Sequence, residues 1–198
     1  MKKQLIISIG REYGSRGHQI GEKLAERLGI DLYDRNLLDE VAIANGANAK
    51  ELSKYDEKPR KFFGSRTVRG YSNSPAVNVA ELQFALLKSK AADGDSFVVI
   101  GRCSDEIFKG LADTVSIFIT ADPLDKLARI MAHRKFNQKD AEKAIARHDK
   151  NRAAYHDYFC KKKWGQASTY DLTVNMSKLG IEGTVDFLYN YVTTINNK

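Results

Sequence analysis

The stretch LIISIGREYGSRGHQIGEKLAERLG, residues 5–29, decides the fold. Its first residues, Leu5 to Ile9, form an aliphatic run of the length and β-branched content of a buried strand. Ile20, Leu24, Ala25 and Leu28 then recur at helical spacing, and Gly29 supplies a stop. Between strand and helix lie Gly10, Gly14 and Gly17. Such residues admit positive φ and close backbone approach at the point where a helix N-terminus presents unpaired N–H donors.

A standard phosphate loop reads GxxxxGK[ST], with the lysine on the outer phosphates and the hydroxyl on Mg²⁺. Counted from Gly10, the last three positions are Ser15, Arg16 and Gly17; with Gly17 as the final glycine, the lysine and hydroxyl positions fall on His18 and Gln19. Neither register holds the lysine. Arg16 is the better substitute, because a guanidinium stays charged at every relevant pH whereas His18 is mostly neutral near pH 7. Lys23 lies farther along the helix. These residues predict a phosphate cradle of Gly10, Gly14, Ser15, Arg16, Gly17 and His18, with Ser15 the nearest hydroxyl for a metal ion. A purely structural strand-to-helix turn is the alternative.

Four further runs, Ile30 to Tyr33, Phe97 to Ile100, Val115 to Ile119 and Asp171 to Asn175, alternate with segments of helical period. That alternation predicts an α/β fold with a parallel sheet covered on both faces. Helices are expected from Leu37 to Gly46, after Asn48, from about Val77 to Ala92, after Asp122-Pro123, from Asn137, and through Ile181, Val185, Leu188, Val192 and Ile195. From Lys54 to Pro75 no period is sustained; a loop of that length in a compact domain is expected to be functional or mobile, with a solvated basic insertion the alternative.

No spacer divides the 198 residues, so one domain spanning 1–198 is expected. Hydrophobic residues at 42% and charged residues at 29% are globular composition, and no apolar run is long enough for a bilayer. Ser8 and Gly10 interrupt the first apolar stretch, and Arg11 and Glu12 stand where a signal cleavage site would need small residues. A cytoplasmic location without membrane partners follows. Cys103 and Cys160 form no CxxC, and the four histidines show no paired metal-ligand spacing. The net charge of +7 favours anionic partners, whether nucleic acid or small phosphorylated substrates. Aromatics Tyr155, Tyr158 and Phe159 beside CKKKWG (160–165) fit helix packing better than a single-strand nucleic-acid patch, so nucleic acid is disfavoured. A homo-oligomer is left open.

The blocks ISIGREYGSRGHQIGEKLAERLGI, YDRNLLDEVA, VVIGRCSDEIF, HDKNRAAYHDYF and YDLTVNMSKLGIEGTV together resemble the cytidylate kinase-like family, over roughly residues 4 to 192. The resemblance implies the P-loop kinase fold with five parallel strands, a mobile acceptor-binding insertion at about 54–76 and a lid at about 134–165. It also implies ATP and Mg²⁺ as cofactors, with a nucleoside monophosphate, CMP or dCMP by family, as the substrate. Asp34 and Arg35 match an acceptor-binding position, and Arg102 matches the arginine of a GRD pattern whose aspartate is here Cys103. In the lid, Arg134, Arg147 and Arg152 are implied to close over the transferring group, with surface charge the alternative for each. Asp149, three residues before Arg152 on the same helix, is placed either to orient that arginine or simply to pair with it. Arg16, Arg147, Arg152 and Asp34 are the catalytic expectation. A nucleotide-binding regulator that lost catalysis with the lysine is the alternative.

Overall fold

The structure is a computed structural model that describes residues 4–34, 36–57, 67–68, 71–72, 74–160 and 162–197. In chain order the elements are β1 (Ile6–Arg11), α1 (Gly17–Leu28), β2 (Asp31–Tyr33), α2 (Asn36–Asn45), α3 (Ala49–Leu52), the antiparallel pair β3 (Thr67–Val68) and β4 (Tyr71–Ser72), and α4 (Pro75–Ala92). Then come β5 (Phe97–Ile100), α5 (Ser104–Ile107), β6 (Thr114–Thr120), α6 (Pro123–Arg134), α7 (Gln138–Phe159), β7 (Leu172–Asn175) and α8 (Met176–Asn196). Five strands form one parallel sheet in the order β2-β5-β1-β6-β7, the α/β architecture expected from the alternation.

Because successive strand residues point to opposite faces, the aliphatic runs of β1 and β5 feed two cores, while β6 and β7 contribute to the first. Ile7, Ile9, Val98, Ile100, Ile117 and Ile119 pack with Ile20 and Leu24 of α1 and with Val185, Leu188 and Val192 of α8. On the other face Ile6, Phe97 and Val99 meet Leu37 of α2, Leu87 of α4 and Phe108. Each core is capped by helices on its outer side, so the site can form only along an edge of the sheet.

The strand β1 runs two residues beyond Ile9, since the longer β6 continues the ladder through Gly10 opposite Phe118 and Arg11 opposite Ile119. That extension carries Arg11 to the sheet edge. Gly17 stands where α1 crosses this strand end: a Cβ there would lie 2.5 Å from Arg11 Cβ. Tyr155 and Phe159, on the long helix α7, pack against Phe84 with Ala80, Cys103 and Cys160. Among the described residues no helix is long and apolar enough to cross a membrane. Arg35 and most of the expected insertion, residues 58–66, 69, 70 and 73, lie outside the described residues.

Candidate functional site

Two adjacent strands end in the same tripeptide: Ile9-Gly10-Arg11 on β1 and Ile100-Gly101-Arg102 on β5. Ile9 pairs with Ile100 in register, so both arginines leave the same edge of the sheet at the same level. The chain turns after β5 through three consecutive left-handed residues, Gly101 (φ 75°), Arg102 (φ 62°) and Cys103 (φ 52°). Each such non-glycine residue costs on the order of 1–3 kcal/mol and persists only where its surroundings enforce it. Glycine suits position 101, because its φ is left-handed and a Cβ would push aside the paired ends of Glu57 and Arg11.

Arg102 is only 1% exposed and is enclosed by carboxylates. Its Nη1 lies 2.7 Å from Asp56 and 3.8 Å from Glu57, and its Nη2 lies 3.7 Å from the Asp34 carboxylate and donates to the Asp34 carbonyl at 3.1 Å. Arg11 grips Glu57 with both ends of its fork, at 2.7 and 2.9 Å, and Arg152 of α7 stands 4.0 Å from the same carboxylate. Burial opposes ionisation of Glu57, but Arg11, Arg102 and Arg152 outweigh it and hold the carboxyl well below its usual range. Asp56 goes the other way: burial pushes it up, against the pull of Arg102. Burial and the neighbouring Arg11 bring the Arg152 guanidinium down to about 10.

The depressed Glu57 sets a sign for acid stability. Its unfolded-state value of 4.5 lies above the folded one, so the stability it contributes is complete above about pH 4.5 and is lost as pH falls through the folded value. Urea unfolding should show Glu57→Gln weaker than wild type by about 1–3 kcal/mol at neutral pH, with the gap narrowing below about pH 4.5. A gap of equal size at about pH 3 would contradict this.

Beside the cluster, the glycine bend opens α1 without a side-chain cap, and its N-cap Arg16 is left-handed at φ 58°. The Arg16 side chain is exposed and donates to Gln19 at 3.0 Å. Ser15 is fully buried, its hydroxyl donating to the Glu12 carbonyl at 2.8 Å. The bend is held from α6 and α7. Arg129 donates to the Gly14 carbonyl (2.6 Å), the Tyr13 N–H donates to Asp149 (2.6 Å), and the Tyr13 ring stacks on His148 at 4.1 Å. Burial raises Asp149, although the Tyr13 N–H favours its charged form. Glu12 in turn accepts from Thr120 (2.5 Å) and pairs with the buried Lys126 (2.9 Å).

A cleft of about 590 Å³ opens at this edge, with Arg11, Asp34, Lys50, Glu57, His148 and Arg152 among its lining residues. The structure thus gathers Asp34, Arg102 and Arg152 into one constellation and ties the glycine bend to it through His18, whose Nε2 lies 3.1 Å from Asp34. Asp149 holds the bend through the Tyr13 N–H and also acts electrostatically on Arg152. Arg134 donates to the Tyr13 hydroxyl at 3.4 Å, and Arg147 is exposed. Reasoning from sequence missed Arg11, Asp56, Glu57, Glu12, Lys126 and Arg129. The repeated Ile-Gly-Arg would have found Arg11, since two parallel strands that end alike deliver like side chains together. No group of three or more His, Cys, Asp or Glu among the described residues is arranged to hold a metal ion.

The model of the cytidylate kinase-like family matches residues 6–178. Among solved structures, an uncharacterized protein from Eubacterium ventriosum is similar at 32% identity and a TM-score of 0.75, over 96% of this chain and 99% of its own. Shikimate kinase from Bacteroides thetaiotaomicron, at 13% identity and a TM-score of 0.57, aligns over 96% of this chain and 98% of its own. A gluconokinase from Sinorhizobium meliloti, at 10% identity and a TM-score of 0.54, aligns over 99% and 94%. These two share the fold. No curated protein matches the sequence.

Proposed function

The chain belongs to the cytidylate kinase-like family, and from that premise we propose that it moves the terminal phosphoryl group of ATP to a nucleoside monophosphate, CMP or dCMP foremost. The observation that carries this reading is the convergence of Arg11, Arg102 and Arg152 on one point beside the uncapped start of α1. An amino end of a helix favours anions, and clustered guanidinium groups favour phosphate oxygens. Both lie at the carboxyl ends of parallel strands, where β1 has β5 on one side and β6 on the other, the crevice in which open α/β sheets bind ligands.

In this reading the amides around Gly14 and Gly17 hold the donor phosphates, and Arg16, the exposed cation at that end, takes the part of the missing lysine. Arg102 and Arg11 hold the acceptor phosphate, and Asp34, tied to both Arg102 and His18, sets the distance between the two halves. Arg152 lies between them. Phosphoryl transfer asks little covalent chemistry of a protein; fixed positive charge around the equatorial oxygens supplies most of the rate. Mg²⁺ fits a hydroxyl and carboxylates beside nucleotide phosphates, since it keeps several waters and takes few protein ligands. Ser15 is the nearest hydroxyl, but it is buried and donates to the Glu12 carbonyl, so it would hold the ion only if the bend opened around the phosphates; the ion would neutralise charge on them.

One contact favours a second reading. The Tyr13 amide, which faces a phosphate in a working cradle, is occupied by Asp149, as it would be in a nucleotide-binding regulator without turnover. A coupled ADP-release assay with ATP, Mg²⁺ and a panel of nucleoside monophosphates separates the two. The expected result is release with a pyrimidine monophosphate, lowered about 10²-fold in kcat/KM for ATP by Arg16→Ala. Thermal stabilisation by ATP with no release for any acceptor would leave the regulator.

A further inference from the structure

We propose that Glu57 occupies the seat of the acceptor's phosphate and must vacate it, so that the chain carries its own competitor for that site. The inference rests on the acceptor being a phosphate monoester. Guanidinium groups from β1, from the turn after β5 and from α7 converge on this single carboxylate, Arg11 through both oxygens and Arg102 and Arg152 within 4.0 Å. A fork with two further guanidiniums around one oxyanion is how arginines surround phosphate. No strand or helix holds the occupant. Glu57 lies two residues after the short 3₁₀ turn Ser53–Tyr55 and sits at φ 45°, a conformation the ion pairs sustain.

Charge and hydrogen bonding both point to displacement rather than addition. Arg11, Arg102 and Arg152 face Asp34, Asp56 and Glu57, so the cluster is balanced as it stands. A dianionic monoester entering beside all three carboxylates would leave a largely buried site with excess negative charge, which is costly out of water. Displacing Glu57 removes one of those charges and frees the two nitrogens it accepts from. Arg102, moreover, is poorly satisfied by its present partners: Nε and Nη1 are buried with no hydrogen-bond partner among the described residues, the Asp56 carboxylate at 2.7 Å being out of line. A tetrahedral oxyanion offers more acceptor directions than a flat carboxylate does.

The test is calorimetric titration of the full chain with inorganic phosphate at neutral pH and low salt, comparing wild type with Glu57→Gln. The variant is expected to bind about tenfold more tightly, because the site no longer has to be vacated. In the wild type, saturating phosphate should also speed hydrogen exchange at the backbone amides of residues 53–57, a loosening that a carboxylate kept in place would not produce. This second readout decides the matter if the variant does not fold. Equal or weaker binding by Glu57→Gln, unchanged or slowed exchange at 53–57, or no phosphate binding by either protein overturns the proposal. Neither measurement involves turnover, so a chain that passes both yet releases no ADP would fail as a kinase and leave this inference standing.

Discussion

Replacing Arg102 with methionine is expected to destabilise the protein by about 3–5 kcal/mol, the cost of removing one partner from a buried ion cluster. Its guanidinium is within ion-pair distance of Asp34, Asp56 and Glu57, and at 1% exposure no water can take its place. Burial already pushes Asp56 toward protonation with Arg102 present, so without it that carboxyl is left nearly uncompensated. Arg102→Lys should recover only part of the loss, since an ammonium lacks the fork that reaches Asp56 on one side and the Asp34 carbonyl on the other. Adding Asp56→Asn to Arg102→Met should recover more. Urea unfolding at neutral pH measures all three, and a loss below about 1 kcal/mol for Arg102→Met would mean the cluster is not buried as described.

The second large effect falls on rate. Arg152→Ala is expected to lower kcat by about 10²–10³, or about 2.7–4 kcal/mol of transition-state stabilisation, with a much smaller change in stability. Arg152 touches both halves of the site: Nη1 donates to the Arg11 carbonyl at 3.2 Å, the guanidinium lies 6.0 Å over the Tyr13 ring, and the side chain lines the cleft. Although burial and Arg11 bring it down to about 10, it is still charged at neutral pH. In the ground state its attraction to Glu57 is offset by burial and by repulsion from Arg11, which is why the fold should lose little. Steady-state kinetics with the best acceptor, beside a melting curve of the same sample, separates the two quantities. An unchanged kcat would remove Arg152 from the reaction.

The sheet was legible because its central strands are short aliphatic runs packed between layers of helices, and such runs have few other uses. Phe97–Ile100 matches to the residue, and Val115 to Ile119 grew by one residue at each end, to Thr114–Thr120. The glycine bend was legible for a similar reason, as few contexts call for three glycines between a strand and a helix. Half of the constellation was not. Asp56 and Glu57 lie in a stretch without period, where no local pattern distinguishes a carboxylate that folds back onto arginines from one in solvent. Lys126 looked like any charge on an amphipathic helix, and its burial depends on α6 lying across Gly14, whose Cβ would come within 3.3 Å of Lys126 Cβ. Such contacts are set by tertiary geometry, which spacing along one element does not encode.

The strand order also constrains how the chain can be made. Among the described residues β1 pairs only with β5 and β6, and β2 only with β5, so no two strands of the main sheet that precede Phe97 are neighbours. A nascent chain leaving the ribosome therefore carries the apolar β1 and the short β2 with unsatisfied edges until β5 emerges to bridge them. During that interval the protein is open to edge-to-edge association and to capture by chaperones, a hazard written into the topology rather than into any one residue.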